Sequence, residues 1–379
     1  MASFTRRLFT WHAWLGLVAG AFILVFSLTG AALVFNKEID RSLNQRQRVV
    51  AAPRAGQSPL PYDALYARAR TYAARRGYTV GAFRELPEHP TETLDVLLVK
   101  GEEYQSVFQN PYTGQLLGPQ QRELTRWLLE LHYTFLLGRT GEVLASVFGL
   151  ALVGSVLTGL AVYRKHLLPV LLFRQRISWK NWRTAASGLH RVLGVWTWLF
   201  NLVLAVSGVY FMLYLLTPAA WQEPEAAAAR PAAAVGVSLD AVVRRAQARV
   251  PGLRVTYLNF PRSAADTTGQ LYGDLPGRWW LGEWATTVTY DARTGVITAV
   301  EREDALPVLA QVGPALGVLH FGQYGGLAVK LLYCACGLLT AVISLTGFAL
   351  WWRRQGQKGS AAARRPARPA PVRHHQPVA

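Results

Sequence analysis

The sequence predicts an α-helical membrane protein: four transmembrane helices in a duplicated (2+2) arrangement, with two extracytoplasmic α+β domains. Three observations carry this prediction. The 379 residues are 51% hydrophobic and only 16% charged, against roughly 25% charged in an average soluble domain. Four apolar runs are long enough to cross a bilayer, which takes about 20 residues. Motifs around four histidines recur at matching offsets in the two halves.

The four apolar runs define the predicted spans. Each is apolar around its whole circumference, which excludes an amphipathic helix of a soluble protein. Their bounds are Trp11–Phe35, Val143–Tyr163, Val192–Leu216 and Leu327–Trp352.

The spans divide the chain into eight predicted segments. The composition of the last segment, rich in Ala, Pro and Arg, predicts a disordered tail. The segments are the N-terminus with the first span (1–35), a first long loop ending in the His132 segment (36–142), the second span (143–163), a short loop (164–191), the third span (192–216), a second long loop ending in the His320 segment (217–326), the fourth span (327–352) and the basic tail (353–379).

The distribution of charge predicts the topology. All 22 acidic residues lie in two windows, twelve from Glu38 to Glu142 and ten from Glu223 to Asp304, whereas the N-terminus, the short loop and the tail carry only basic charge. Lys and Arg beside membrane helices stay in the cytoplasm. We therefore expect both termini and the short loop in the cytoplasm and both long loops outside. The net charge of +18 is then a topology signal, and no nucleic-acid partner is expected.

An internal repeat relates the two halves of the chain. In each half, one histidine is followed by glycine after four and eighteen residues, and a second histidine is followed by glycine after six and twenty-seven residues. Such a repeat predicts two copies of one unit, related by a pseudo-two-fold axis along the membrane normal. The matching positions are His12, Gly16 and Gly30 with His190, Gly194 and Gly208, and His132, Gly138 and Gly159 with His320, Gly326 and Gly347.

Each long loop is predicted to hold a helix followed by strands. Asn110–Gly114 and Asp291–Gly295 are typical of tight turns between strands, in which glycine takes a positive φ. Helical spacing covers Pro61–Arg76 and Ser238–Val250, and strand-like patterns cover Leu94–Leu98, Ser106–Gln109, Arg254–Phe260 and Thr286–Tyr290.

The second loop also contains an aromatic cluster, Tyr272, Trp279, Trp280 and Trp284. Its composition fits a small hydrophobic core or a belt that lies on the membrane. A docking surface for a ligand is a third interpretation, and the sequence leaves all three open.

Four of the eight histidines occupy repeat-equivalent positions and are the candidate site residues. The pseudo-two-fold axis places His12 opposite His190 on the cytoplasmic side, and His132 opposite His320 on the outer side. Two facing imidazoles are what a six-coordinate haem iron needs. No Cys-x-x-Cys-His occurs, so two non-covalent haems of the b type are expected.

Two arginines beside these histidines, Arg139 and Arg191, are candidate partners for haem propionates. Anchoring at the cytoplasmic face explains Arg191 equally well. A structural alternative is open for the histidines too. An imidazole at a membrane interface is commonly an anchor or a hydrogen-bonded polar group, and duplication copies residues without selecting them.

Taken together, these motifs resemble the PepSY-associated transmembrane-helix family. The resemblance rests on His12-x-x-x-Gly16 with Ser27-Leu28-Thr29-Gly30, on the Leu-His segments at His132 and His320, and on the two α+β loops. It covers roughly residues 5–355. The family includes bacterial inner-membrane ferric-siderophore reductases that hold two haems through histidines, and iron-regulated membrane proteins.

The resemblance implies PepSY-like outer domains, an inner-membrane location and haem ligands at His12, His190, His132 and His320. The expected function is electron transfer across the membrane to a periplasmic ferric siderophore. Its hard oxygen donors prefer Fe(III), so reduction loosens the iron and releases Fe(II). No fused flavin or nicotinamide domain is recognised, so the electron donor is left open between a quinol and a cytoplasmic reductase. Membrane lipid is the other expected partner.

Two alternatives remain. The first is a non-enzymatic PepSY-type membrane protein that binds or regulates a periplasmic partner, with the histidines as anchors. The second is a siderophore transporter, which is disfavoured because only four spans are predicted and no polar pathway crosses them. Neither a phosphate-cradling loop nor a nucleophile elbow points to an ATPase or a hydrolase.

Overall fold

The structure is a computed structural model of the chain. It describes residues 2–44, 48–51, 53, 56–101, 103–120, 123–217, 236–261, 266–282 and 284–363. The described residues fall into two compact units. The first unit comprises the described parts of Met1–Leu24, Ala151–Asn201 and Leu338–Ala379, and the second comprises those of Val25–Leu150 and Leu202–Gly337.

Long apolar helices dominate the first unit and continue into the second. The helices are α1 (Ala2–Leu33), α2 (Asn36–Leu43), α3 (Tyr62–Ala74), α4 (Glu123–Thr134), α5 (Gly138–Tyr163), α6 (Leu167–Leu171), α7 (Trp182–Trp196), α8 (Trp198–Leu216), α9 (Leu239–Arg249), α10 (Val312–Phe321) and α11 (Gly326–Ala363).

Four helical segments of the described chain are long and apolar enough to cross a membrane, which confirms the prediction of a multi-span membrane protein. They are Phe4–Leu33, Gly138–Leu171, Trp198–Leu216 and Gly326–Arg354.

Most bounds of the spans differ by several residues from the sequence prediction, and two of the differences concern a candidate histidine and the tail. The third span does not begin at Val192, because the helix breaks at Thr197 and His190 lies on the separate helix α7. Thr197 closes α7 by donating its backbone N–H to the Leu193 carbonyl at 2.9 Å. The fourth helix runs on to Ala363, into the segment for which the composition predicts disorder. The rest of that tail lies outside the described residues.

The strands of both long loops form one antiparallel sheet in the second unit, in the order β4-β3-β2-β1-β5-β6-β7-β8. The sequence predicts an α+β domain in each long loop, and the structure pairs the strands of the two loops edge to edge. Strands β1 and β5 pair directly, with Ala82 opposite Asn259 and Phe83 opposite Leu258. The strands are β1 (Thr79–Glu85), β2 (Leu94–Lys100), β3 (Glu103–Gln109), β4 (Leu116–Pro119), β5 (Arg254–Asn259), β6 (Thr268–Asp274), β7 (Thr286–Asp291) and β8 (Ile297–Arg302).

One hydrophobic core lies between this sheet and the helices α3 and α9. It joins residues of both loops. Phe83 of β1 and Phe260, just past β5, pack edge to face with ring centres 5.1 Å apart. Their burial is complete or nearly so, so removing either ring would leave a cavity where the two loops meet.

The two predicted turns are present at equivalent places in the sheet. Between β3 and β4, the Asn110 side-chain oxygen accepts from two backbone N–H groups, and Gly114 takes a φ of +68°. Between β7 and β8, Asp291 accepts in the same way and Gly295 takes a φ of +69°. An Asx side chain followed by glycine therefore closes both hairpins.

Helices α3 and α9 cap each other at their N-termini. The Asp240 carboxylate accepts from the backbone N–H groups of Tyr62 at 3.1 Å and Asp63 at 3.0 Å. In return, Asp63 accepts from the Leu239 N–H at 2.6 Å and the Ser238 hydroxyl at 2.5 Å. Carboxylates satisfy the exposed N–H groups of a helix start and complement its positive dipole end. This exchange ties the two loops together at a second place.

Replacing one of these caps should loosen the joint sheet. We expect Asp63→Ala to cost about 1–2 kcal/mol, the usual loss for an N-terminal cap, because the Leu239 N–H then loses its acceptor. Asp63→Asn retains an acceptor and should cost less. The measurement is the thermal unfolding midpoint of the full-length protein in detergent. An Asp63→Ala midpoint equal to that of the wild type contradicts the assignment.

Candidate functional site

The structure brings the four predicted histidines together in two pairs. His12 of α1 faces His190 of α7 with ring centres 6.1 Å apart and planes at 71°. His132 of α4 faces His320 of α10 at 6.3 Å and 63°. We call these the first pair and the second pair. Each pair lies within one unit, the first pair in the first unit and the second pair in the second. All four rings are partly buried.

Backbone carbonyls anchor the rings of the first pair. His12 Nδ1 lies 2.9 Å from the Ser155 carbonyl oxygen of α5, and His190 Nδ1 lies 3.0 Å from that of Ile343 in α11. A carbonyl only accepts, so each Nδ1 carries the proton. A threonine hydroxyl lies farther from each Nδ1 than the carbonyl does. Thr158 Oγ1 is 3.4 Å from His12 Nδ1, and Thr346 Oγ1 is 3.3 Å from His190 Nδ1.

Hydroxyls anchor the rings of the second pair. His132 Nδ1 lies 2.8 Å from Thr29 Oγ1 of α1, and His320 Nδ1 lies 2.8 Å from Ser207 Oγ of α8. Backbone carbonyls of the same helices lie near both rings, but no carbonyl takes the closest place.

The tautomer of the second pair follows from where the hydroxyl protons go. Thr29 donates its proton to the Val25 carbonyl at 2.6 Å, and Ser207 donates to the Val203 carbonyl at 2.7 Å. Each hydroxyl oxygen is therefore left to accept from the imidazole, and Nδ1 again carries the proton. In the described part of the chain, every hydrogen bond of the four rings falls on Nδ1.

The second pair is held in the neutral state. Burial, and then the neighbouring His320, lower the pKa of His132 to about 3. Burial lowers the pKa of His320 to about 4. A neutral ring with its proton on Nδ1 has its lone pair on Nε2, which is the form that binds a metal.

Four glycines set how close each ring approaches the neighbouring helix. They are the glycines that follow Ser or Thr in the repeated motif. A Cβ at any of them would lie at about the limit of contact with the Cε1 atom of a histidine, so the ring would have to move. The Cβ-to-Cε1 distances are 3.0 Å for Gly159 and His12, 3.1 Å for Gly347 and His190, 3.2 Å for Gly30 and His132, and 3.3 Å for Gly208 and His320.

The glycines that follow His12 and His190 by four residues, Gly16 and Gly194, do not lie against a histidine ring. A Cβ at Gly194 would meet nothing within 4 Å, and one at Gly16 would meet only Ser155 Oγ at 4.0 Å. Open space therefore lies beside Gly194, while Gly16 borders the side chain of Ser155.

The two candidate arginines have protein partners. Arg139 donates to Glu142 at 3.2 Å and to the Leu215 carbonyl at 2.9 Å. Arg191 donates its Nε–H to the Ser187 carbonyl at 3.0 Å, and its guanidinium lies 6.0 Å from the Tyr163 ring centre. Both residues are exposed. Neither arginine forms a hydrogen bond to a histidine in the described chain.

The Ser and Thr partners of the histidines were not predicted as site residues. Their signal was present in the sequence, since each precedes a repeated glycine, but the same Ser/Thr-Gly steps also suit close helix packing. Aromatic neighbours were missed as well. Phe26 and Phe211 meet the rings of His132 and His320 edge to face, at 5.6 Å and 5.5 Å.

The aromatic cluster of the second loop is not a buried core. Trp279 is 57% exposed and Trp284 is 52% exposed. Trp279 stacks on Tyr324 at 5.0 Å, and Trp284 packs against Tyr257 at 5.0 Å and Tyr272 at 4.9 Å. The interpretations as a membrane belt and as a docking surface stay open.

Comparison with known proteins places the chain in a family. Residues 9–354 match the model of the PepSY-associated TM region. A protein of Pseudomonas aeruginosa, named only as uncharacterized, is 26% identical over 266 residues, which is 62% of this chain and 65% of the relative. The matched part thus spans less than two thirds of that relative. The family match covers all four candidate spans except the first residues of the first, so the chain belongs to the PepSY-associated transmembrane family.

Proposed function

We propose that this protein is a duplicated, di-haem b-type protein of the bacterial inner membrane that passes electrons across the membrane. Its acceptor is a ferric siderophore in the periplasm, which releases Fe(II) on reduction. In this proposal both termini are cytoplasmic, and the sheet built from the two long loops is periplasmic, as the Lys and Arg residues of the N-terminus, the short loop and the tail indicate. The electron donor is a quinol or a cytoplasmic reductase.

The separation of the paired rings carries the proposal. A metal–imidazole bond is about 2 Å and the nitrogen lies about 1.1 Å from its ring centre, so two imidazoles on opposite sides of one metal have centres about 6.2 Å apart. The two pairs stand at 6.1 Å and 6.3 Å. Nδ1 of each ring is engaged by the protein, which leaves Nε2 for the metal.

Two imidazoles without further donors favour a porphyrin over a bare cation. Among the described residues, no group of three or more His, Cys, Asp or Glu stands together to hold a metal ion. A protein-only site needs about four ligands for zinc and more for harder cations, whereas a porphyrin brings four nitrogens and asks the protein for only two. Open space at Gly194 and the phenyl rings beside the second pair suit a flat apolar group.

Each part of the chain has a defined task in this proposal. Haem, when bound, supplies reversible one-electron chemistry. The four histidines would hold the two haems through Nε2, and their Nδ1 partners fix the tautomer and the ring orientation. Arg191 is a partner for a haem propionate. Arg139 serves the same role only if it exchanges Glu142 for the propionate, because it now holds that carboxylate.

The siderophore would meet the protein near the second pair. This pair shares a unit with the sheet and with the exposed aromatic cluster of Trp279 and Trp284. The short helical turn at Trp279–Leu281 precedes Gly282, and a Cβ there would lie 3.2 Å from Val318 of α10, the helix that carries His320. An aromatic surface of this kind suits a bulky chelate.

Haem stoichiometry is the first test. The purified protein should show a Soret band and two low-spin haems per chain, because both axial positions of each iron are filled. His132→Ala should remove one haem and His12→Ala the other. A pyridine haemochrome assay with optical spectra measures both. One haem or fewer in fully loaded protein, or loss of both from a single folded variant, contradicts the pairing. Absence of any Soret band favours the non-enzymatic alternative.

The glycine contacts supply a matched pair of variants. Gly30→Ala should displace the His132 ring, because its Cβ would lie 3.2 Å from Cε1, whereas a Cβ at Gly20 of the same helix would meet nothing within 4 Å. We expect Gly30→Ala to lower the affinity for one haem about 10-fold, the lower end of the 10–100-fold range seen for indirect changes at metal sites, and hence its occupancy at limiting haem. Haem-to-protein ratio measures it. Equal occupancy in Gly30→Ala and wild type would show that the ring is not held by this contact.

The direction of electron transfer is tested with pre-reduced protein and a ferric siderophore. Wild type should re-oxidise and yield Fe(II), which a ferrous chelator captures. His320→Ala should keep one reducible haem yet release Fe(II) far more slowly, because the site beside the sheet is missing. If His320→Ala reduces iron as fast as wild type, the second pair is not the site from which electrons pass to the siderophore. If oxygen or a quinone re-oxidises the wild type but ferric chelates never do, the siderophore is not the acceptor.

A further inference from the structure

The two pairs of histidines differ in what accepts the proton of Nδ1, and this difference repeats in both halves of the chain. In the first pair the nearest acceptor is a backbone carbonyl, at 2.9 Å and 3.0 Å. In the second pair it is a hydroxyl, at 2.8 Å in both halves. A difference that appears twice at matching positions is a property of the two sites rather than of one side chain.

Resting on the proposed function, we infer that Thr29 and Ser207 are positioning residues that set the electron affinity of the second site above that of the first. An amide carbonyl oxygen is a stronger hydrogen-bond acceptor than an alcohol oxygen, because amide resonance places negative charge on it. A stronger acceptor draws the Nδ1 proton further and leaves more electron density on Nε2. More density on the ligating nitrogen stabilises the oxidised metal and lowers its reduction potential.

The carbonyl is the dominant acceptor in the first pair, because the hydroxyls of Thr158 and Thr346 lie farther from the rings, at 3.4 Å and 3.3 Å. In the second pair the hydroxyls of Thr29 and Ser207 are the nearest acceptors, at 2.8 Å in both halves. Its imidazoles are therefore the poorer electron donors, and the second site takes up an electron more readily.

Charged groups around the first pair act in the opposite direction but at longer range. The first unit contains no acidic residue and several arginines, among them Arg7, Arg183 and Arg191. These three side chains are exposed or partly exposed, so water and salt screen their field. A hydrogen bond on the ligand itself is not screened. The order of potentials therefore follows the acceptors, and electrons pass from the first pair to the second, toward the sheet.

The structure supplies variants that separate the two acceptors. Thr29→Val and Ser207→Ala remove the hydroxyl that accepts from the second pair. Thr158→Val and Thr346→Val remove only the farther hydroxyl of the first pair, while the carbonyls of Ser155 and Ile343 remain. Thr29→Ser keeps the hydroxyl and is the rescue variant.

The experiment is a spectroelectrochemical titration of the haem-loaded, full-length protein in detergent. His132→Ala and His12→Ala, each with one haem, assign the two midpoints. The midpoint of the second pair should lie above that of the first. Thr29→Val should raise it by about 59 mV, a tenfold change in the ratio of oxidised to reduced haem for a one-electron couple. Thr29→Ser, Thr158→Val and Thr346→Val should leave the midpoints in place.

Three results overturn the inference. The first is a second-pair midpoint below that of the first pair. The second is an unchanged midpoint in both Thr29→Val and Ser207→Ala, or an equal shift in Thr158→Val. The third is loss of the second haem from Thr29→Val and Ser207→Ala alike, because the hydroxyls would then hold the ring rather than set its electron density. A protein that binds no haem overturns the proposed function instead, and its spectrum shows this before any titration.

Discussion

The hydrogen bond from each histidine Nδ1 to a neighbouring helix is the interaction on which the site depends. An imidazole N–H inside an apolar helix bundle is costly unless it finds an acceptor. Each of the four rings finds one on another helix, so the same bond that satisfies the ring also joins two helices. It connects α1 with α5, α7 with α11, α4 with α1 and α10 with α8. Because Nδ1 is used in this way, Nε2 is the nitrogen left for chemistry in all four.

Helix α1 contributes a residue to each of the two histidine sites. It presents His12 as a donor near one end and Thr29 as an acceptor near the other. Glycine follows the acceptor at Gly30, and the absence of a Cβ lets the partner ring come within 3.2 Å of that position. The acceptor and the close approach are thus adjacent in sequence, and a substitution at either place would move the same ring.

The sheet gives the second pair a rigid support. Helices α4 and α10, which carry His132 and His320, follow the edge strands β4 and β8. The pairing of β1 with β5 and the exchanged Asp63 and Asp240 caps join both loops in one body. Helix α4 is held further by a hydrogen bond of 2.7 Å from Thr125 to Asp40 of α2. Two residues far apart in the chain are thereby held to one geometry, which a shared metal requires.

The sequence by itself determined the family and the four candidate spans, and it singled out the four histidines that the structure brings together in two pairs. It could do so because hydropathy and a repeat are properties of the order of residues. It also predicted the turn chemistry at Asn110 and Asp291. Strands β1, β4, β6 and β8 were missed, and glycines within the first three of them weaken the strand pattern. Only the tertiary structure decided that the loops form one sheet, because strand pairing depends on edges that no local pattern encodes. Only the tertiary structure decided which atom accepts each Nδ1 proton. Whether a backbone carbonyl, as at Ser155, or a hydroxyl, as at Thr29, comes closest to the ring depends on how two helices pack.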